Sequence, residues 1–311
     1  MHVLPNRESS IEEIQLFNRY IQDMISLANI HLHLIKYNYI PISINTITRQ
    51  YENFSLVPSI SKARVVIVYG FDIMECPKAV LFEDAISQVA SQFNFLESMG
   101  PNYSDITTYL RDPTQGPRAS LPCLSSLIIR DHLFKPDGLQ SAQILFRNSQ
   151  EHYKNGYLEL FKYNGFLEEY YNYLKSNIDS LNIFAQWGIP EYWKGDSVKH
   201  GKGILQVFNA APSFQGKAIP SESSFETKIC KLLVTTQYEA IGKLAVMRYL
   251  VTKTNVKVHL TLVGQSSYNN HISVIQDAID KFLNIIKDYD IDAFFHIYDK
   301  LTDISLSLIH I

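Results

Sequence analysis

The chain has 311 residues, of which 46% are hydrophobic and 19% are charged, and its formal net charge is −3. This balance is typical of a folded globular protein and argues against long disordered stretches. The slight acidity argues against a duplex nucleic-acid partner, which requires a basic surface. Cys76, Cys123 and Cys230 lie far apart in the sequence, which predicts neither a disulfide framework nor a zinc site.

The N-terminal sequence predicts neither export nor membrane insertion. The first residues lack a basic segment followed by an apolar run, so no signal peptide is predicted. No apolar stretch approaches the roughly 20 residues that a transmembrane helix needs. We therefore expect a cytoplasmic protein without a membrane span.

Three elements are predicted in the first hundred residues. Residues 9–35 place apolar side chains at helical spacing behind two serine caps, which favours a helix. Residues 65–69 (VVIVY) form a short apolar run that is typical of a strand buried on both faces. Residues 79–96 are predicted as an amphipathic helix that ends at a Gly-Pro-Asn turn.

The middle of the chain leaves more alternatives open. Residues 112–117 (DPTQGP) predict a loop, because two prolines flank a glycine. Residues 121–133 are apolar and are compatible with a strand or a helix. Residues 159–181 favour a tyrosine-rich helix, and residues 182–187 (NIFAQW) are compatible with a strand.

The second half alternates strands with helices. Strands are predicted over residues 204–211, 256–263 and 293–298, and helices over residues 225–250 and 272–286. Such an alternation indicates a mainly parallel sheet that is covered by helices.

Two loops follow predicted strands at the edge where open α/β sheets bind their ligands. Residues 209–215 follow one strand, and residues 264–270 (GQSSYNN) join the next strand to a helix. The second loop therefore lies near a helix N-terminus, which suits a phosphate group. Taken alone, residues 264–270 are also compatible with an ordinary polar turn, and residues 112–117 with a surface turn.

Other chemistries lack their motifs. The sequence has no HExxH motif, no Cys/His cluster, no GxSxG elbow and no phosphate-binding P-loop. We therefore predict neither a metal nor a cofactor. Glu222, Glu226 and Glu239 are candidate general bases, although each is also compatible with a solvated position on a helix.

Six short motifs in a fixed order suggest a family. They are DPTQGP, GLQSAQ, QW, QVFNAAP, YEA and VHLTLVG, and they begin at residues 112, 138, 186, 206, 238 and 258. In this order they resemble the macrodomain superfamily, in its divergent MavL-like effector branch, which is distantly related to poly(ADP-ribose) glycohydrolases. The resemblance covers residues 105–300. It departs from the family pattern after Gly264, where Gln265 and Ser266 stand in place of glycines.

The resemblance implies a macrodomain-like mixed or parallel sheet flanked by helices. Residues 105–311 would form the core that binds ADP-ribose, and residues 1–104 an α-rich N-terminal extension packed on it. Glu239 and Asn209 would be the catalytic residues. The resemblance implies these ligand-binding residues: Asp112, Thr114, Gln115, Gly116, Gln140, Gln143, Gly264, Gln265, Ser266, Ser267, Tyr268 and Asn269.

Three functions remain open at this point. The resemblance implies hydrolysis of an ADP-ribosyl group from a protein or small molecule, with no cofactor. The altered glycine loop is also compatible with a module that binds ADP-ribose or a related nucleotide without turnover. A degenerate macrodomain that serves as an interaction scaffold is the third alternative. The effector branch further implies delivery into a host cell as one fate of the protein.

Overall fold

The computed structural model describes residues 42–70, 83–98, 100, 102–111, 115–135, 144–146, 152–188, 192–193, 196–197 and 203–297, together with residue 15. The helix predicted over residues 9–35 falls almost entirely outside these residues. Among the described residues, no helix is long and apolar enough to cross a membrane.

Eleven strands lie within the described residues. They are β1 (Ile42–Ser43), β2 (Arg64–Tyr69), β3 (Ile86–Ala90), β4 (Tyr153–Lys154), β5 (Tyr157–Leu158), β6 (Asn182–Gly188), β7 (Tyr192–Trp193), β8 (Asp196–Ser197), β9 (Ile204–Asn209), β10 (Val256–Thr261) and β11 (Ile291–Ile297).

The described residues also form six α-helices and several short 3₁₀ turns. The helices are α1 (Ile44–Glu52), α2 (Gln115–Ser120), α3 (Leu124–Phe134), α4 (Leu167–Asn177), α5 (Phe225–Thr252) and α6 (Ile272–Ile286). The 3₁₀ turns are Ile106–Arg111, Leu121–Cys123, Ile144–Phe146, Leu160–Lys162, Ile178–Ser180 and Ser266–Tyr268.

Seven strands form the main sheet in the order β1-β6-β9-β3-β10-β11-β2. The five strands from β9 to β2 are parallel to one another. β6 runs antiparallel to β9, and β1 runs antiparallel to β6. Helices flank this sheet, so the predicted α/β fold with a mixed, mostly parallel sheet is confirmed. The prediction that β10 lies inside the sheet is also confirmed, because β3 and β11 pair with its two edges.

The long helix α5 follows β9 and packs with α6 over the sheet. Its first turn is capped by Ser224, whose hydroxyl accepts a hydrogen bond from the Thr227 N–H at 3.2 Å. A Cβ on Gly242 would lie 3.2 Å from Ile285, so the glycine lets α5 and α6 approach closely. Buried side chains from both helices, among them Ile241 and Phe282, join the main apolar core.

The helix predicted over residues 79–96 is wrong, because residues 86–90 form β3. This strand lies at the centre of the sheet between β9 and β10. It is buried on both faces, so it lacks the alternation of apolar and polar residues that marks a half-exposed strand. Its apolar residues therefore also satisfy helical spacing. The polar Gln88 is tolerated there because its Oε1 accepts from the Thr261 N–H at 2.9 Å.

The strand predicted over residues 65–69 is confirmed, but its predicted burial is wrong. β2 lies at the edge of the sheet beside β11, and Val65 and Val66 are 38% and 39% exposed. A short apolar run has the same sequence pattern in an edge strand and in a central strand. Only its position in the sheet separates the two.

Strands on both sides of the boundary predicted between residues 104 and 105 belong to one sheet. β2 and β3 come from the predicted extension, yet they pair with strands of the predicted core. Further along the chain, residues 121–133 are helical, in the 3₁₀ turn and α3. The helix predicted over residues 159–181 is confined to α4, between two 3₁₀ turns.

Candidate functional site

The candidate site lies where three neighbouring parallel strands end. β9 ends at Asn209, β3 at Ala90 and β10 at Thr261. Ala90 and Asn209 are register partners, and the Ser91 N–H donates to the Asn209 carbonyl at 2.8 Å. The loops that follow these strands therefore meet at one edge, which is the edge where α/β sheets bind ligands.

Asn209 is fully buried at this edge and lies against α5. Its Nδ2 lies 3.5 Å from the side-chain oxygen of Gln237. Its Oδ1 has no hydrogen-bond partner among the described residues. A buried acceptor without a partner is unusual, because leaving it unsatisfied costs about 1–3 kcal/mol.

The loop over residues 264–270 folds down onto the segment that follows β9. Gly264 has a φ of +90°, and a Cβ at this position would lie 2.9 Å from the Ala211 Cβ. The Asn270 Nδ2 donates to the Pro212 carbonyl at 2.8 Å and to the Gly264 carbonyl at 3.0 Å. Only a glycine combines this backbone conformation with so close an approach.

The remaining side chains of this loop differ in exposure. The Asn269 Nδ2 donates to the Lys217 carbonyl at 3.2 Å, and the Gln265 Nε2 donates to the Asn270 carbonyl at 3.5 Å. Ser267 is exposed, whereas Ser266 is described only through its backbone in the 3₁₀ turn. Gln265, Tyr268 and Asn269 are partly exposed.

The Tyr268 ring packs inward, 5.9 Å from the ring of Tyr157. Burial raises the pKa of the Tyr268 hydroxyl, and hydrogen bonds to Tyr157 and Gln92 oppose the rise. The Tyr268 carbonyl accepts from the Phe214 N–H at 2.9 Å. These contacts hold the loop over residues 264–270 against the rest of the edge.

Gly116 of α2 lies directly over the end of β3. A Cβ at this position would lie 2.3 Å from the Ala90 carbonyl oxygen and 2.7 Å from the Glu97 Cγ. The structure therefore brings Gly116 to the same edge as Asn209 and Gly264. Gln115 opens α2, and only its backbone is described. The predicted ligand-binding residues that lie outside the described residues are Asp112, Thr114, Gln140 and Gln143.

The sequence does not reveal the loop over residues 91–98, because residues 79–96 predict a helix there. The Gln92 side chain closes this loop. It donates to the Ser98 carbonyl at 2.9 Å and accepts from the Ser98 N–H at 2.8 Å. The Asn94 Oδ1 accepts from the Leu96 N–H at 3.2 Å. The signal that was available is the polar run Ser91-Gln92 directly after an apolar segment, which also marks the end of a buried strand.

A buried ion pair anchors the same loop to α3. Both Glu97 carboxylate oxygens lie 2.7 Å from the Arg130 Nη2, and both side chains are fully buried. The Arg130 Nε donates to the Phe95 carbonyl at 2.7 Å, and the Ser120 hydroxyl donates to Glu97 at 3.0 Å. Burial raises the pKa of the Glu97 carboxyl, although the attraction of Arg130 opposes the rise.

Glu239 lies on a different face of α5, and the structure does not bring it to Asn209. Its carboxylate pairs with the Lys243 Nζ at 2.8 Å, and that Nζ also donates to the Thr48 hydroxyl of α1 at 3.0 Å. Glu239 lines a cavity of about 210 Å³ between α1 and α5. The neighbouring Tyr238 instead faces the sheet and donates to the Thr261 carbonyl.

The other two acidic candidates also lie in α5 or next to it. Glu222 precedes the helix and lies 3.7 Å from the Lys231 Nζ, with 64% of its side chain exposed. Glu226 lies in the first turn of α5. Among the described residues, none of the three predicted candidate bases contacts Asn209.

Comparison with solved structures supports the fold. A crystal structure of a poly(ADP-ribose) glycohydrolase point mutant from Deinococcus radiodurans, in complex with ADP-ribose, aligns with a TM-score of 0.50 and 8% identity. The alignment covers 87% of this chain and 91% of that chain. The glycohydrolase from Thermomonospora curvata aligns with a TM-score of 0.45 and 9% identity, over 88% and 84% of the two chains. No protein-family model and no curated protein matches the chain.

The chain therefore has a macrodomain-like fold of the kind found in poly(ADP-ribose) glycohydrolases. At 8% identity the likeness shows the fold alone. The narrower resemblance to the MavL-like effector branch stays a prediction from the sequence motifs.

Proposed function

We propose that this chain binds ADP-ribose, or an ADP-ribosyl group on another molecule, at the edge where β3, β9 and β10 end. The observation that carries the proposal is the buried Asn209 Oδ1, which has no partner among the described residues. A ligand hydroxyl placed there would satisfy this acceptor. The glycohydrolase that shares the fold was solved with ADP-ribose bound, which supports the choice of ligand.

The backbone around Asn209 also supports a ligand with phosphate groups. Gly264 takes a φ of +90° at the start of a loop that leads into α6. Ser267 of the same loop is exposed. A loop before a helix N-terminus offers backbone N–H groups to an anion, so we place the diphosphate there.

The ion pairs of the acidic residues favour binding without turnover. Glu239 is neutralised by Lys243 beside α1, and Glu97 is neutralised by Arg130. Hydrolysis would require a group near the distal ribose that orients or activates a water molecule. Neither described carboxylate contacts Asn209.

Hydrolysis of an ADP-ribosyl bond is the second candidate. It is favoured by the shared fold with a glycohydrolase and by the DPTQGP motif, which resembles the family pattern and supplies Asp112. In this candidate Asp112 or Glu239 would act on a water molecule, and Asn209 would hold the distal ribose.

The binding proposal is tested by isothermal titration and thermal melting with ADP-ribose. A ligand that binds only the folded state raises the melting temperature by mass action, so millimolar ADP-ribose should raise it, and free ribose serves as the control. If neither measurement detects ADP-ribose, the binding proposal is wrong and the scaffold alternative is favoured.

Glu239→Gln separates the two candidates. Because Glu239 pairs with Lys243 at 2.8 Å and is 37% exposed, we expect the change to leave ADP-ribose affinity unaltered and to change the stability by at most about 1 kcal/mol. The measurement is the dissociation constant by titration, together with the release of free ADP-ribose from an ADP-ribosylated protein. Glu226→Gln is the matched control on the same helix. If Glu239→Gln abolishes the release of free ADP-ribose and Glu226→Gln does not, Glu239 is the catalytic residue.

A further inference from the structure

The cavity between α1 and α5 is a separate place in the molecule. Its lining residues come from these two helices and from the 3₁₀ turn Ile178–Ser180, and none of them belongs to the loops of the candidate site. Its volume is about 210 Å³, which is below the roughly 300–1,000 Å³ of sites that hold drug-sized ligands. The cavity therefore suits a compound much smaller than a dinucleotide.

Part of the cavity wall is apolar and buried. Ile44 and Ile47 of α1 are 6% and 1% exposed, and Ala240 of α5 is 2% exposed. All three line the cavity. A short alkyl chain that packs on these side chains leaves water, which favours its binding.

The ammonium of Lys243, which also lines the cavity, is already engaged within the protein. Its Nζ lies 2.8 Å from the Glu239 carboxylate and donates to the Thr48 hydroxyl at 3.0 Å. The centre of the Tyr51 ring lies 6.0 Å from the same Nζ. These contacts hold the Lys243 ammonium in place and offset its charge, so the lysine does not make the cavity a site for an anion.

Three acceptors remain at the cavity. A carboxylate has about four acceptor sites, so the pair with Lys243 leaves Glu239 with spare ones. Asp179 is exposed and forms no ion pair with a described residue. The Thr236 hydroxyl donates to the Leu232 carbonyl at 2.7 Å, so its oxygen is left to accept.

We propose that this cavity binds a primary alkylammonium group, either of a free amine or of a lysine side chain in a partner protein. Glu239 and Asp179 outweigh the single charge of Lys243, so the lining has a formal charge of −1. An ammonium has three N–H donors and no acceptor, which matches the three acceptors. The alkyl chain then packs on Ile44 and Ile47. This inference does not depend on the binding of ADP-ribose.

The experiment titrates the protein with butylammonium, butan-1-ol and butyrate, which share their carbon number and differ in charge. Binding is followed through the methyl signals of Ile44 and Ile47 in carbon-13 spectra. We expect these signals to shift with millimolar butylammonium and far less with the other two compounds. Equal shifts with butan-1-ol would show that only the alkyl chain is recognised, and larger shifts with butyrate would show the opposite charge preference. Either result, or signals that do not move, would overturn the proposal.

Two variants test the carboxylates. Glu239→Gln keeps the shape but leaves the Lys243 charge unbalanced, so it should weaken butylammonium binding by about tenfold. Asp179→Asn should weaken it by about 2- to 5-fold, because water screens an exposed charge. Glu226→Gln is the matched control, since Glu226 lies in α5 and does not line the cavity. Melting temperatures identify any variant that fails to fold, and unaltered affinity in both cavity variants would overturn the proposal.

A peptide with a single lysine distinguishes the two sources of the ammonium. It is titrated beside the same peptide with norleucine in place of the lysine. Tighter binding of the lysine peptide than of butylammonium would assign the ammonium to a partner protein, whereas binding of butylammonium alone would assign it to a free amine. A norleucine peptide that binds as well as the lysine peptide would overturn the role of the charge. None of these measurements uses ADP-ribose, so a failure of the proposed function leaves their outcome unchanged.

Discussion

Arg130 and Glu97 form an ion pair whose two side chains are withdrawn from solvent. Arg130 also lies over the Phe208 ring at 3.9 Å, so it joins α3, the loop over residues 91–98 and β9. Removing water from two charges is costly, and their attraction compensates only while both partners remain. The Glu97–Arg130 pair therefore fixes the loop after β3 against α3.

Glu97→Gln should lower the free energy of unfolding by about 3–5 kcal/mol, because it leaves the Arg130 charge buried without its counter-ion. The measurement is urea unfolding followed by circular dichroism. Lys162→Met is the control, since Lys162 is 46% exposed and its pair with Glu159 should contribute at most about 1 kcal/mol. Equal effects of the two changes would contradict the burial of the Glu97–Arg130 pair.

Asp131 predicts a dependence of stability on pH. Burial raises the pKa of its carboxyl to about 6, and the hydrogen bond from the Tyr103 hydroxyl opposes the rise. Between its ordinary pKa of 3.8 and 6 the folded state binds more protons than the unfolded state. The stability from this group is therefore fully present below 3.8 and is lost as the pH rises through 6.

Asp131→Asn should remove this dependence, because asparagine does not titrate and still accepts from Tyr103. The melting temperature of the unaltered protein, relative to the variant, should fall between pH 4 and 7. Asp288→Asn is the control of opposite sign, since the hydrogen bond from Lys62 lowers the pKa of Asp288. A relative melting temperature that rises with pH for Asp131→Asn would refute the assigned shift.

At the scale of elements, the parallel strands differ in how deeply they lie in the sheet. β10 is central, and Val258 is fully buried within it. β2 is an edge strand, and Val66 is 39% exposed. Both strands have six residues and carry valines, so the cost of a polar group at a valine depends on the position of the strand in the sheet.

Val258→Thr should destabilise the protein by about 1–3 kcal/mol, because it buries a hydroxyl in an apolar core. Val66→Thr should change the stability by no more than about 0.5 kcal/mol, since water reaches that position. Chemical unfolding of the two variants side by side tests the expectation. A large loss at Val66 would show that this face of β2 is covered.

The helix α5 shows why the candidate catalytic residue could not be placed from the sequence. Successive residues of an α-helix are rotated by about 100°, so Glu239 lies about 200° around the helix from Gln237. The sequence shows that one face is apolar, but α5 also packs against α1 on another face. Gln237, which contacts Asn209, carried no motif that singled it out.

At the scale of the whole molecule, strands from the first hundred residues are part of the sheet. β3 contributes its centre, and β2 contributes its edge. The loop after β3 also forms part of the candidate site through Ser91 and Glu97. The segment over residues 83–98 therefore supplies both the central strand of the sheet and one of the loops at the proposed ligand site.

A shortened chain of residues 105–311 should not fold, because β9 and β10 would lose the strand that lies between them. Circular dichroism and thermal melting of this chain test the expectation, with the full chain as the control. A cooperative transition in the shortened chain would support the domain boundary predicted from the sequence.

The sequence by itself determined the alternation of strands and helices in the second half. β9 is a short apolar run, β10 alternates apolar and polar residues, α5 is far too long for a strand, and α6 carries an apolar stripe at helical spacing. It also placed Asn209 and Gly264 at or just beyond the ends of strands, and the parallel arrangement brings such positions to one edge. Only the tertiary structure decided that β3 is a central strand, that β2 is an edge strand and that Glu239 faces α1. The reason is physical: a strand buried on both faces has no alternation to detect, and the surroundings of a helix face depend on the elements that pack against it.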